Sequence, residues 1–227
     1  MIITAIEHGL DLAHSYGKRS KGVHMSDLYG SLYAKLEPKR YAKKDDAPPP
    51  MERWGIGMAL EEMLEEGLKR RKFNTNEEEE VTRPGEFETP HTAKCPRTSK
   101  QRTKGCGCIC GGGVLYTPDL LIFNGHNRVG EIKLNSMSAK GAPWKLGKKY
   151  TGFDQKFDKY FTQLKNYCFH LGTPFGRLYS FSMREMAHFN EKDIFRAWDV
   201  EFTQHELVEE WNTVRNEGVR EEILRAA

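Results

Sequence analysis

Long apolar runs and a signal peptide are both missing from this sequence. No stretch approaches the roughly 20 apolar residues that a membrane-spanning helix needs. The first residues also lack the basic and then apolar pattern that marks a secreted chain. These absences predict a cytoplasmic protein in the reducing interior of the cell, with no membrane partner.

A large net charge is missing as well, because 35 Lys and Arg residues nearly balance 32 Asp and Glu residues. The charges are nevertheless unevenly placed: residues 77–80 are acidic, whereas residues 94–104 and 140–159 are rich in Lys and Arg. This distribution allows a polyanionic partner without requiring one. With 227 residues, of which 38% are hydrophobic, a single domain over residues 1–227 is expected.

Cysteine is scarce and odd in number, with five residues of which four are crowded into one segment. This is not the pattern of a secreted disulfide framework. With His91 nearby, these four could hold a tetrahedral structural zinc ion, or they could be free thiols of a glycine-rich loop. Cys-x-Cys-x-Cys lacks the two-residue gaps of common zinc sites, so both alternatives stay open. The four residues are Cys95, Cys106, Cys108 and Cys110.

The N-terminal third is predicted to be helical with a linker in the middle. Residues 2–14 are largely apolar, and Ser26 can cap a helix whose leucines recur at helical spacing. Residues 37–50 are charged and end in three prolines, which favour an extended linker. Residues 1–50 are therefore interpreted as a helical elaboration with a linker, and a strong helix is predicted over residues 52–72.

The centre of the chain combines an irregular segment with a hairpin. Residues 74–112 show little periodicity beyond one strand near Val81, which indicates a long inserted loop. Two runs typical of strands follow at residues 114–123 and 128–134. Asn124-Gly125 lies between them and is a strong hairpin signal.

The C-terminal part continues with a helix and two strands, predicted over residues 154–170, 177–181 and 197–202. Cys168 is expected to pack as a small apolar residue in that helix. Thr203 and Glu206 form a capping box for a closing helix that extends through Arg215. The order of elements predicts an α/β fold with a mixed central β-sheet flanked by helices and with a Cys-rich loop insertion.

The segment TPDLLIFNGHNRVGEIKLN carries the candidate chemistry. Residues two apart on a strand share a face, so Glu131 and Lys133 point together, and the hairpin can bring Asp119 to the same end. Two carboxylates offer the hard oxygen ligands that Mg²⁺ prefers, while the ammonium can orient water and offset phosphate charge. Taken by itself, the pattern fits a solvated sheet face better than a catalytic site.

Further motifs raise the weight of the catalytic interpretation. Pro118-Asp119 followed by Glu131-x-Lys133 resembles the core of the PD-(D/E)XK nucleases. Gly57-Met-Ala-Leu-Glu61 and Gln163-Leu-Lys-Asn-Tyr167 resemble the helical motifs of the branch that contains the RecB-type and lambda-type exonucleases, and they stand in the same order. The N-terminal VHMSDLYGSLYAKLEPKRY is similar to the opening helix of that branch.

The resemblance implies a restriction-endonuclease-like core and Mg²⁺- or Mn²⁺-dependent hydrolysis of DNA, with an exonuclease favoured over an endonuclease. It implies that Glu61, Asp119, Glu131 and the main-chain carbonyl of Ile132 hold the metal. It also implies that Lys133 positions the attacking water, and that Gln163 and Tyr167 contact DNA phosphate or organise the site. The plain alternatives are a solvent-facing Glu61, with Glu62 as a substitute ligand, and an ordinary amphipathic helix carrying Gln163 and Tyr167.

Several members of the family carry an iron–sulfur cluster, and this sequence departs from their pattern. The segment that would supply the first cysteine ligand reads Leu36-Glu37-Pro38-Lys39-Arg40, and only Cys168 lies beyond Glu131. No iron–sulfur cluster is therefore expected.

The basic connection after Glu-x-Lys should emerge beside the site and bind DNA, because lysines neutralise phosphates and aromatic rings stack on exposed bases. The alternative is a solvated loop. The residues are Lys140, Trp144, Lys145, Lys148, Lys149 and Tyr150.

Two rival functions remain for the whole chain. One is a catalytically idle nucleic-acid-binding module that keeps the fold. The other is a zinc-organised interaction protein centred on the cysteine cluster. A homo-oligomer or a recombination partner is left open.

Overall fold

The computed structural model describes residues 23–36, 51–71, 80–89, 113–123, 125–135, 155–182 and 195–226. The predictions for residues 2–14 and 37–50, for the cysteine cluster and for the basic connection lie outside these ranges.

Four helices and eight strands make up the described part of the chain. The helices are α1 (Met25–Leu36), α2 (Met51–Arg71), α3 (Gln155–Leu171) and α4 (Gln204–Ala226). The strands are β1 (Val23–His24), β2 (Glu80–Thr82), β3 (Phe87–Glu88), β4 (Val114–Tyr116), β5 (Leu120–Phe123), β6 (Asn127–Asn135), β7 (Phe175–Ser182) and β8 (Phe195–Glu201).

The central sheet has five strands in the order β2-β5-β6-β7-β8. The β6–β7 pair is parallel and the other neighbours are antiparallel, so the sheet is mixed as predicted. A smaller sheet has the order β1-β4-β3. Because α3 connects β6 to the parallel strand β7, it crosses one face of the central sheet and lies over the β6 residues that share that face.

Helices cover both faces of the sheet around two cores. Helices α1, α3 and α4 enclose the larger core with Val129 of β6 and Leu178 of β7. Helix α2 covers the other face, where Leu64 packs with Ile132 and Tyr179. The alternation of Val129 and Ile132 between the two cores follows from the two-residue period of a strand. The α/β class with a flanked mixed sheet is confirmed.

The run at residues 114–123 was predicted as one strand and is divided into two. Strand β4 belongs to the small sheet and β5 to the central sheet, with a bend at residues 117–119 between them. Pro118 lies in this bend, and proline has no N–H to donate to a sheet ladder. Val114 and Leu120 are both fully buried, but in different cores. A continuous apolar run conceals such a switch of sheet.

Several boundaries also differ from the predictions. Helix α1 begins at Met25, and the N–H of His24 donates to Oδ2 of Asp27, so Ser26 is not the cap. Strand β3, inside the predicted loop, was not anticipated because two residues leave no periodic signal. The Thr203–Glu206 capping box is confirmed by reciprocal hydrogen bonds, but α4 continues past Arg215 to Ala226.

Two glycines permit close contacts beside the candidate site. A Cβ atom at Gly130 would lie 2.9 Å from Cβ of Leu120 on the paired strand. A Cβ atom at Gly176 would lie 2.8 Å from Leu164, so α3 sits directly on β7 at this point. A side chain at Gly130 would press on the Cβ atom of Leu120, whereas one at Gly176 would require the side chain of Leu164 to shift. In the described ranges, no helix is both long and apolar enough to span a bilayer.

Candidate active site

The β5–β6 hairpin brings together the three residues predicted to carry the chemistry, Asp119, Glu131 and Lys133. Asp119 precedes Leu120, which pairs with Gly130, the residue before Glu131. The N–H of Ile132 donates to Oδ2 of Asp119 at 2.7 Å, and Nζ of Lys133 donates to Oε1 of Glu131. Strand β6 therefore holds the Asp119 carboxylate on its main chain and carries the Glu131–Lys133 ion pair.

Glu131 is completely buried, with 0% of its side chain exposed. Its Oε2 atom is buried with no hydrogen-bond partner among the described residues. The rival interpretation of a solvated sheet face is therefore wrong for Glu131. A buried carboxylate oxygen without a partner is costly, and it is typical of sites that receive an ion or a ligand.

Helix α2 supplies a third carboxylate from the other face of the sheet. Glu61 is half-buried, and its Oε2 accepts a 2.7 Å hydrogen bond from Nη2 of Arg83, just after β2. The solvent-facing alternative for Glu61 is not what the structure shows. A glycine four residues before Glu61 could allow α2 to lie close to the sheet. The structure shows no such close approach, because a Cβ atom at Gly57 would meet nothing within 4 Å among the described residues.

A cleft of about 470 Å³ opens where these elements meet. Glu61 and Asp119 lie in its wall with Arg83, while Pro118 and Thr117 come from the bend. Glu86 adds a further carboxylate to the same wall. The cleft gives a solvent-filled approach to the end of the hairpin, lined by charges of both signs.

Burial and mutual repulsion disfavour the charged forms of the carboxyl groups. Burial, with help from the charge of Asp119, raises the pKa of Glu131 to about 8. The same two causes raise the pKa of Glu61 to about 7, against the attraction of Arg83 and Lys133. Burial also raises the pKa of Asp119 above its ordinary value. For Lys133, burial would lower the pKa, but the charges of Glu131 and Asp119 outweigh it and hold it above the ordinary value.

The chemistry of this site fits a hard divalent cation. Glu61, Asp119 and Glu131 offer oxygen donors, repel one another, and include the partnerless oxygen of Glu131. In the described parts of the chain, no three His, Cys, Asp or Glu side chains are already grouped as a metal site. Lys133 and Arg83 each hold an oxygen of one of these carboxylates.

Helix α3 places the predicted Gln163 and Tyr167 over the same strand. Nε2 of Gln163 donates to the Tyr167 hydroxyl at 2.9 Å, and the Tyr167 ring stacks on Tyr116 at 5.7 Å. Burial, and then the charges of Glu131 and Asp119, raise the pKa of Tyr167 well above its ordinary value. Tyr167 is thus a packed residue, as the plain alternative held, and it also fixes the amide of Gln163 near the carboxylates.

Two further residues of the site were not found from the sequence. Arg83 follows β2 as one basic residue in an irregular segment, and no pattern marks it. Tyr160 lies on α3 with its ring centre 5.7 Å from Nζ of Lys133. Its position three residues before Gln163 on the same helix was the available signal. Cys168 is buried, as expected for an apolar residue.

No protein-family model and no curated protein sequence matches this chain. Among solved structures, LHK-Exo in complex with dAMP is similar, with a TM-score of 0.50 and 16% identity over 90% of this chain and 91% of that one. The alkaline exonuclease LHK-Exo from Laribacter hongkongensis gives a TM-score of 0.49 and 18% identity, again over 90% and 91%. The structure of SSO0001 gives a TM-score of 0.47 and 18% identity, over 94% of this chain and 85% of that one. At such identities the similarity shows only the fold, a mixed α/β fold with a restriction-endonuclease-like core that this chain shares with LHK-Exo.

Proposed function

We propose that this protein is a metal-dependent nuclease that hydrolyses the phosphodiester bonds of DNA, as one domain of the PD-(D/E)XK type. The observation that carries the proposal is the fully buried Glu131, which has one oxygen on Lys133 and the other without a partner. Asp119 accepts a hydrogen bond from the main-chain N–H of Ile132, the residue after Glu131 on β6. A structural carboxylate would be expected to have both oxygens satisfied.

Each residue of the site has a distinct role in the proposed reaction. Glu61, Asp119, Glu131 and the carbonyl of Ile132 would hold Mg²⁺ or Mn²⁺. When bound, such a cation lowers the pKa of its water and stabilises developing charge on phosphate oxygens. Lys133 donates a hydrogen bond to Glu131, and its ammonium group lies beside that carboxylate. It can therefore orient the attacking water.

The helix above the strand completes the proposed site. Gln163 is held by Tyr167 through a 2.9 Å hydrogen bond, and its amide can contact a substrate phosphate. The ring of Tyr160 beside Lys133 gives a base or sugar a flat surface to lie on. The basic connection from Lys140 to Tyr150 is proposed to extend this contact along the DNA.

An exonuclease is proposed over an endonuclease. Two things support this choice: the motifs Gly57 to Glu61 and Gln163 to Tyr167, and the shared fold of LHK-Exo, which has been solved with dAMP. A nucleoside monophosphate is the product that an exonuclease releases when it removes a terminal nucleotide from a strand.

Cleavage of end-labelled linear DNA and of covalently closed circular DNA tests the proposal. With Mg²⁺ or Mn²⁺, the linear DNA should be degraded and the closed circle should persist, while EDTA should stop the reaction. Glu131→Gln is the matched negative control. Binding of DNA without cleavage in any metal would favour the idle binding module, and stoichiometric zinc without cleavage would favour the zinc-organised protein.

A further inference from the structure

Arg83 occupies an unusual place among the charges of the cleft. Its guanidinium donates to Glu61 at 2.7 Å, and its positive charge also acts on Asp119. The Arg83 side chain is 30% exposed and that of Glu61 is 25% exposed, and both lie in the wall of the cleft together with Asp119. This partly buried ion pair is therefore accessible from the cleft.

The pairing engages two groups that the proposed reaction needs separately. While Arg83 holds Oε2 of Glu61 at 2.7 Å, its positive charge opposes the binding of a metal ion at the same carboxylate. An arginine beside a nuclease site is well suited to phosphate, because its planar fork matches phosphate oxygens in a two-point contact. In the present arrangement that fork is directed at a carboxylate instead.

We propose that Arg83 is a positioning residue for a substrate phosphate, and that it stays paired with Glu61 until Glu61 is engaged as a metal ligand. This inference rests on the proposed function. Binding of the metal ion by Glu61 releases the guanidinium of Arg83. The cleft therefore presents this positive charge to DNA only when the metal ion is bound. In the metal-free protein, the pair reduces the attraction of the cleft for phosphate.

The first test measures DNA binding in EDTA, by fluorescence anisotropy of a short labelled duplex. Glu61→Gln removes the partner that holds Arg83, so its affinity should exceed that of wild type by about fivefold, the scale of a partly exposed ion pair. Glu86→Gln is the matched control, because it removes the same charge from the same cleft at a carboxylate that lies 3.7 Å from His24. Adding Arg83→Gln to Glu61→Gln should abolish the gain.

The second test measures Mn²⁺ binding by isothermal titration calorimetry without DNA. Arg83→Gln should bind Mn²⁺ about fivefold more tightly than wild type, because no guanidinium has to leave Glu61. Arg215→Gln, on α4, is the charge-matched control and should bind Mn²⁺ like wild type. Circular dichroism checks the folding of each variant.

Two results would overturn the inference. One is equal DNA binding by Glu61→Gln and Glu86→Gln in EDTA, and the other is weaker Mn²⁺ binding by Arg83→Gln. Should Arg83→Gln not fold, the comparison of Glu61→Gln with Glu86→Gln decides, because both retain the guanidinium. If wild type cleaves DNA but the variants do not differ as expected in DNA and Mn²⁺ binding, only the inference fails. If the variants differ as expected but wild type never cleaves DNA, only the proposed function fails.

Discussion

The N–H of Ile132 donates a 2.7 Å hydrogen bond to Oδ2 of Asp119, and this contact joins the bend before β5 to the middle of β6. It fixes the carboxylate of Asp119 against β6, the strand that carries Glu131. The relative position of Asp119 and Glu131 therefore depends on the hairpin backbone, and less on the freedom of either side chain.

The first prediction concerns the chemistry at this position. Asp119→Ala, Glu131→Ala and Lys133→Ala should each reduce the cleavage rate by at least about a hundredfold, the usual cost of removing one preorganised catalytic group. Their far-ultraviolet circular dichroism should remain that of wild type. A folded variant that retains wild-type turnover would refute the assigned site.

The second prediction compares two glutamates on α2. Glu61→Gln should require more Mg²⁺ for half-maximal activity and recover part of its rate with Mn²⁺, because one carboxylate of the proposed metal site is lost. Glu65→Gln, one helical turn away, should titrate like wild type. If Glu62→Gln shows the defect instead, the metal ligand is the neighbouring residue.

The third prediction uses two glycines as a matched pair. Gly130→Ala should lower the free energy of unfolding by about 1–3 kcal/mol, because the new Cβ would press on Leu120 beside the site. Gly57→Ala should raise it by about 0.5–1 kcal/mol, because alanine favours a helix over glycine and its Cβ would meet nothing within 4 Å among the described residues. Urea unfolding measures both. A destabilised Gly57→Ala would restore the role of close approach at that motif.

The fourth prediction concerns pH and His170, which packs against Trp211 with ring centres 4.3 Å apart. Burial lowers the pKa of His170 to about 4, so on acidification the unfolded chain takes up the proton first. The stability associated with neutral His170 is complete above about pH 6.5 and is lost as the pH falls towards 4. At pH 5 the free energy of unfolding should be about 1–2 kcal/mol lower than at pH 7, allowing for the partial exposure of His170.

His170→Phe keeps an aromatic ring that cannot be protonated. Thermal unfolding of this variant should show a smaller change between pH 7 and pH 5 than wild type. Parallel pH profiles would mean that His170 is already solvated in the folded protein.

The fifth prediction concerns bound metals other than the proposed catalytic ion. Protein purified without oxygen should show no iron–sulfur absorbance, because Leu36 stands where the family pattern has its first cysteine. Zinc analysis then decides between the two interpretations of Cys95 to Cys110. A content of about four irons per chain would contradict the expectation.

The hairpin could be predicted because its signals are local. Two runs of residues typical of strands on either side of Asn-Gly predict β5 and β6, and the two-residue period puts Glu131 and Lys133 on one face. The degree of burial of Glu131 could not be predicted, because it depends on α3 crossing above the strand. A Glu-x-Lys pattern is the same on a solvated sheet and on a covered one.

Contacts distant in sequence left no signal. Arg83 and Glu61 are separated by 22 residues, and they meet only after α2 packs against β2. The division of residues 114–123 between two sheets was hidden for a similar reason, since both strands are apolar. The spacing between Gly57 and Glu61 likewise does not reveal the packing, since a Cβ atom at Gly57 would meet nothing within 4 Å among the described residues.

The hairpin that joins Asp119 to Glu131 also bears on the order in which the protein folds. Its turn closes within a few residues, and hairpins form in about 1–10 μs, whereas the parallel β6–β7 pairing must wait for α3 to cross the sheet. We therefore expect the two repelling carboxylates to be brought together before α2 packs and Glu61 pairs with Arg83. Dissolved cations should then accelerate refolding, because they screen this repulsion.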